Sequence, residues 1–437
     1  MKKLDYAKVL LISFLFISAT YSQTYQGPAQ GSVPSGVTVS ATSFPKHSPI
    51  NEPRERAIKH KDTFIEEPIF INTTVPIPKP ESVYFEDKAL AGNETQDTIQ
   101  NLLLKSIQGL SQTNSIPPDP HIAVGTNHVM ATVNSNFAIW DKEGNLLKTI
   151  NADLWYASTL SGVGAFDCKI LFDHFDNRWI MVWLDQNDNP ARGYYLLSVS
   201  ANDNPLGTWY NWALPSTLNG TTTVSNWGDY QGVGFDDEAI YLTSNQFQFN
   251  GSFQYSKLRI IPKAQLYANT AGECKWFDIW NISYPTGVTG KPFTLRPSIS
   301  YDTNTPFYIL NAPSGGGNFI SLYKVENPTT TPTLTGSLIA VPYFYVPPNA
   351  NQLGGSTVLI DGGTNCTFRF KPIHMDGFIW GVHGIRNPNN AAYSSLKYYK
   401  INLSNNTVEE QAAFGAVGHW LYYPALAVDS AHNIAIS

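Results

Sequence analysis

Six times between residues 117 and 437 the chain repeats one local pattern: two apolar residues two apart, a turn residue, then a second apolar run. The turn positions are Gly125, Asp173, Asp236, Asp302, Lys371 and Asp429, and the apolar pairs before them are Ile122/Val124, Ile170/Phe172, Val233/Phe235, Ile299/Tyr301, Phe368/Phe370 and Leu426/Val428. The second runs fall at 129–133, 179–183, 240–243, 307–310, 378–380 and 434–436. Apolar alternation on both sides of a tight turn predicts a β-hairpin. The turns are spaced by 48, 63, 66, 69 and 58 residues, which leaves room for further hairpin material in each unit. A twisted sheet of a few strands cannot cover both of its apolar faces, whereas radial stacking of such sheets covers both. The expected fold is therefore all-β, a β-propeller of six or seven blades over residues 110–437. Its sixth unit stops at Ser437 inside the second strand, so an incomplete ring is expected; closure by a strand from before Pro117 is the alternative.

Composition supports strands over helices. Only 14% of the 437 residues are charged and 13% are aromatic, with 32 Gly and 29 Pro to supply turns. A net charge of −6 offers no basic field for nucleic acid. At the start, Lys2, Lys3 and Lys8 precede an apolar run at 9–17, and Thr20 and Ser22 occupy the small-residue positions before Gln23. Residues 1–22 thus read as a signal peptide, and the protein is expected to be secreted or held at the cell surface. That apolar run is too short for an anchor, and no transmembrane segment is expected in the mature chain. The three cysteines, Cys168, Cys274 and Cys366, lie in no metal or redox spacing, and buried thiols are favoured over one bridge.

Residues 23–109 have a linker-like composition, with the run Gly31-Ser32-Val33-Pro34-Ser35-Gly36, then Pro45, Pro49, Pro53, Pro76, Pro78 and Pro80, and mixed charge at 52–67. This segment is expected to be flexible. Ile69-Phe70-Ile71, Val83-Tyr84-Phe85 and the stretch 99–110 are the pieces suited to dock as strands on the body that follows.

The run Pro117-Pro118-Asp119-Pro120-His121-Ile122-Ala123-Val124-Gly125-Thr126-Asn127-His128, followed by Val133-Asn134 and Phe137-Ala138-Ile139, resembles the opening of a family of exported bacterial β-propeller-like proteins. The likeness continues through Ile170-Leu171-Phe172-Asp173, Pro205-Leu206-Gly207-Thr208-Trp209-Tyr210 and Tyr241-Leu242-Thr243-Ser244-Asn245-Gln246-Phe247. It implies a secreted propeller, often joined to surface-sorting or adhesion modules, and it carries no activity across. One departure is local: the family's Asn-Gly after the PPDP run is His121-Ile122 here.

Six residues before each turn position stand Asp119, Asp167, Tyr230 with Asp229 beside it, Arg296, Asn365 and Tyr423. In a propeller this position surrounds the mouth of the central channel. Such a set suits a sugar, a carboxylate or a cation; the plainer role is capping loops and bonding to neighbouring blades. An enzymatic alternative rests on Asp119-Pro120-His121 and the 204–209 loop, which are similar to the general-base strand and a loop of five-bladed glycoside hydrolases. It lacks a second acid in a suitable setting, because Glu238 falls in an exposed hairpin turn. Asp141-Lys142-Glu143-Gly144-Asn145 and Asp185-Gln186-Asn187-Asp188-Asn189 resemble pieces of calcium loops without their spacing, so no cofactor is expected, with Ca²⁺ the one candidate. The histidines show no ligand spacing. Trp155, Tyr156 and Trp227 are candidates for exposed stacking on sugar rings. The expectation is a monomeric, non-catalytic binding or adhesion module for an extracellular carbohydrate or protein, with a glycan-cleaving propeller using Asp119 as the alternative.

Overall fold

The computed structural model describes residues 23–48, 66–73, 81–85 and 106–437, except 112, 114, 116, 270, 271, 353, 364 and 417. The signal peptide expected at 1–22 lies outside the described residues. Successive stretches of chain form antiparallel meanders. The first sheet comprises His121–Val124, His128–Val133, Asn136–Asp141 and Leu146–Asn151. The second comprises Phe166–Asp173, Arg178–Asp188, Ala191–Ser200 and Thr208–Pro215. The third uses Asn226–Phe235, Ala239–Gln248, Phe253–Pro262 and Glu273–Trp280. The fourth uses Arg296–Pro297, Phe307–Asn311, Gly316–Glu326 and Thr333–Tyr345. The fifth uses Ile373–Met375, Phe378–Arg386, Ser394–Asn402 and Thr407–Ala416, and a final hairpin pairs Leu426–Val428 with Ile434–Ile436. First strands of neighbouring sheets touch one another, and this serial arrangement is a β-propeller-like all-β fold. No helix of the described residues is long and apolar enough to cross a membrane.

Four expectations need correction. The first concerns residues 23–109. Gln26–Pro34 and Val37–Ser40 add fifth strands to the outer edges of the third and second sheets. Two of the pieces expected to dock do so: Glu81–Phe85, which contains Val83-Tyr84-Phe85, pairs with the outer strand of the fifth, and Ile69 bridges to Gly317. A composition poor in apolar residues suffices for an edge strand, because its neighbour already supplies the buried face and the edge needs only hydrogen bonds.

The second concerns the fifth unit. Its hairpin joins Ile373–Met375 to Phe378 through Asp376 and Gly377, both in the left-handed region at φ 51° and 74°. Lys371 is therefore not a turn residue, and Asn365 is not equivalent to Asp119 or Asp167. The third lies in the fourth unit, where Arg296–Pro297 pairs with Leu310 and Ile309. Ile299 instead makes parallel pairs with Phe235 and Ile373, joining three first strands directly.

The fourth concerns the aromatics. Trp155, Tyr156 and Trp227 are buried, and among the tryptophans only Trp280 and Trp420 escape burial. Trp155, Phe137 and Trp209 pack between the first and second sheets, and Tyr241 stacks on Phe307 at 3.5 Å between the third and fourth. The aromatic excess is thus mortar between sheets. All three cysteines are free and buried, and burial pushes the Cys274 thiol up to about 12.

Candidate functional site

The first strand of a unit opens with a residue in left-handed backbone. Asp119, Asp167, Tyr230 and Tyr423 have φ of 43°, 51°, 50° and 52°, all six residues before their turns. In the second and third sheets the strand register breaks across Asp167 and Tyr230, so each is the extra residue of a β-bulge. Aspartate tolerates this conformation through its short polar side chain. Tyrosine does not, and holding two of them there requires compensation from their surroundings.

Arginines supply it. Arg296 donates from Nε to the Phe368 carbonyl at 2.9 Å and from Nη1 to the Gln231 carbonyl at 3.0 Å, with its guanidinium 4.3 Å from the Tyr230 ring centre. Arg369 donates from Nη1 to the Tyr230 hydroxyl at 3.2 Å and from Nη2 to the Gly363 carbonyl at 3.1 Å, and lies 5.1 Å from the Tyr423 ring centre. Tyr230, Arg296 and Tyr423 are therefore brought together, with Arg369 as the link that sequence reading did not include.

The acids are placed otherwise. Asp119 accepts from Asn134 Nδ2 at 2.7 Å, while Asn134 Oδ1 accepts from the Asp167 N–H at 2.7 Å. Gln231 donates to the Asp167 carbonyl, tying the second sheet to the third. Asp229 accepts from the Tyr230 N–H, and Asn365 is spent on the Thr367 N–H and hydroxyl. These contacts are the loop-capping and inter-sheet roles that a carboxylate or amide performs at a strand start.

Inside this rim is a small, partly open pocket. Its charged and polar lining is His121, Lys169, Arg296, Arg369 and Lys371; Leu171, Gly232, Val233 and Pro297 complete the wall. Gly232 is required by packing, since a Cβ there would stand 2.6 Å from Thr243 Oγ1 and 2.7 Å from Pro297 Cδ. Leu171 and Val233 belong to an apolar cluster with Phe235, Ile299, Ile373 and Leu426. No carboxylate lines the pocket among the described residues. Nor do the described residues contain a group of three or more His, Cys, Asp or Glu side chains set to hold a metal ion.

The electrostatics follow from this lining. Burial, and then the Lys169 charge, pushes the Lys371 ammonium down to about 7. Burial, Lys371, Lys169 and Arg296 together hold His121 well below the ordinary imidazole range. His121 Nδ1 accepts from the Ile170 N–H at 3.2 Å, so Nε2 carries the ring proton. Burial raises the Tyr230 phenol, but Arg369, Arg296 and Lys169 outweigh it and bring the value down to about 8.

A titration tests this field. The phenolate absorbance of the folded protein is expected to show one tyrosine ionising near pH 8, absent in Tyr230→Phe. The folded value lies below the ordinary value of about 10, so ionisation adds stability as pH rises from the folded value to the ordinary one. A curve for the native protein that matches Tyr230→Phe throughout would refute the cationic environment.

Reading position −6 alone missed four of the five lining residues. His121 and Lys169 sit at −4, a second shared repeat position two residues further along. That signal was available. Arg369 and Lys371 approach from the connection before the fifth hairpin, whose register the Phe368/Phe370 pair concealed.

No protein-family model matches the chain, and neither does any curated protein. Among solved structures, apo AztD from Citrobacter koseri aligns at 11% identity and TM-score 0.33 over 72% of this chain and 66% of its own. The exo-β-1,3-galactanase of Phanerochaete chrysosporium aligns at 10% identity and TM-score 0.34 over 73% and 66%. The parainfluenza virus 5 hemagglutinin-neuraminidase aligns at 12% identity and TM-score 0.39 over 74% and 85%. The chain thus spans less than two thirds of the AztD chain. Likenesses this weak assign neither family nor activity.

Proposed function

We propose that the protein is an exported, monomeric, non-catalytic β-propeller of six or more units. It acts at the cell surface or in the surrounding medium as a binding or adhesion module, and the channel-mouth pocket is its recognition site. The observation that carries this reading is the pocket's composition: charged donors from several sheets meet there without a carboxylate. Glycoside hydrolysis needs two carboxyl groups flanking the scissile bond. Asp119, the base in the hydrolytic alternative, instead accepts from Asn134 at the start of its strand. A carbohydrate or protein of the extracellular medium is the partner class, without a resident cofactor.

A glycan array and a hydrolysis assay on the same panel test the two readings. Retention of extracellular glycans without turnover is expected, and Asp119→Asn should leave retention within about threefold of the native protein. Turnover that disappears in Asp119→Asn would establish the hydrolase instead.

A further inference from the structure

We propose that the mouth pocket is an oxyanion site, taking a carboxylate, sulfate or phosphate group between Arg296, Arg369, Lys169, Lys371 and His121. This deepens the binding reading of the same pocket and rests on it. Three observations on separate elements carry it.

The first is the kind of hydrogen-bonding group present. Lysine and arginine offer donors only, and His121 is held with Nδ1 occupied, which leaves it a donor at Nε2. A neutral sugar hydroxyl would leave its own O–H donor without a partner among these side chains, and a cation would be repelled. An oxyanion is acceptor-only and matches. The second is missing counter-charge. Among the described residues neither Lys169 nor Lys371 has an acidic partner; the Lys371 ammonium instead lies 4.3 Å from the Phe370 ring centre. Arg296 is 2% exposed, and its Nη2 is buried without a hydrogen-bond partner while Nε and Nη1 are satisfied. The third is placement. The pocket gathers these groups from four parts of the chain against the Leu171 and Val233 side chains.

Charge relief gives binding a pH signature. A bound anion favours the protonated forms of Lys371 and His121, so protons are taken up on binding. The charged and titratable groups that line the pocket with Lys371 are Lys169, His121, Arg296 and Arg369, and the Tyr230 phenol lies beyond them against both arginines; an anion shifts every titrating member of the set toward its protonated form. Affinity is therefore expected to fall as pH rises above about 7.

Calorimetric titration of the full chain with sodium sulfate, sodium phosphate, sodium glucuronate and glucose, at constant ionic strength in chloride, tests the proposal. Saturable binding of at least one of the three anions is expected, with none of glucose. Lys371→Gln and Lys169→Gln should each weaken it about tenfold while thermal unfolding shows both variants folded. Sulfate or phosphate binding would identify a site for free oxyanions, and glucuronate binding alone would place the group on an acidic sugar; either upholds the proposal. Absence of binding by all three anions, or binding unchanged in both lysine variants, overturns it. Glucose binding lost in the same variants would overturn the anion assignment and leave the pocket as a binding site. Absence of any ligand on both the glycan array and the anion panel would remove the binding reading itself.

Discussion

Asp278→Ala is expected to cost about 3–5 kcal/mol of folding stability, the range for removing one partner of a buried ion pair. Arg259 and Asp278 are both fully buried in the third sheet, joined by Nε to Oδ1 and Nη2 to Oδ2 at 2.8 Å each. Asp278 Oδ2 also accepts from Trp276 Nε1 at 3.0 Å and from the Gly220 N–H at 2.8 Å. Alanine would leave the Arg259 guanidinium with the Pro215 and Leu218 carbonyls and the face of Trp276, without a counter-charge. Lys257 would suffer too. It is buried beside the pair, where burial pushes it down to about 7 against the pull of Asp278.

Urea denaturation of Asp278→Ala and of the double variant Arg259→Met/Asp278→Leu would measure this. The double variant should regain most of the loss, because it removes both desolvated charges together. A single-variant loss below about 1 kcal/mol would show that the pair is hydrated in solution.

The second large effect is expected at Trp155. Trp155→Ala should cost about 3–5 kcal/mol, as for other aromatic truncations in a packed core. Its ring lies 5.4 Å from Phe44, 5.2 Å from Phe137 and 5.7 Å from Trp209, and Nε1 donates to Ser198 Oγ at 3.0 Å. The helix Ala152–Tyr156 that carries it is fixed by Asn151, whose side chain accepts from the Leu154 N–H. Asn211 ties the strand beneath to the Trp155 carbonyl at 3.1 Å. Trp155→Phe should lose less, since it keeps the ring contact and forfeits the hydrogen bond. Thermal denaturation read beside the glycan array separates the possibilities. A stable Trp155→Ala protein with altered glycan retention would return this residue to the surface role that sequence reading gave it.

The repeat was legible because hairpins are local. Asp173, Asp236 and Asp429 each accept N–H groups two or more residues ahead, and that turn chemistry marked them without any knowledge of the sheet. The fifth unit was misread although the better signal was present. Ile373 and Met375 stand three and one residues before Asp376-Gly377, a stronger hairpin dipeptide than anything at Lys371. Choosing it would have released Arg369 and Lys371 for the pocket.

Local pattern by itself determined the all-β class, the succession of hairpins and the strand starts at Asp119, Asp167, Tyr230 and Tyr423, since each depends on residues within a few positions of one another. Tertiary structure decided the rest. Edge pairing by 26–34 and 37–40 rests on backbone hydrogen bonds along one side of a strand, which even a stretch holding Pro28 and Pro34 can offer, so composition does not reveal it. The character of the pocket is likewise a sum over sheets. His121, Lys169, Arg296, Arg369 and Lys371 are five unremarkable residues along 251 positions of chain, and only the convergence of their strands places like charges together with no acid to oppose them.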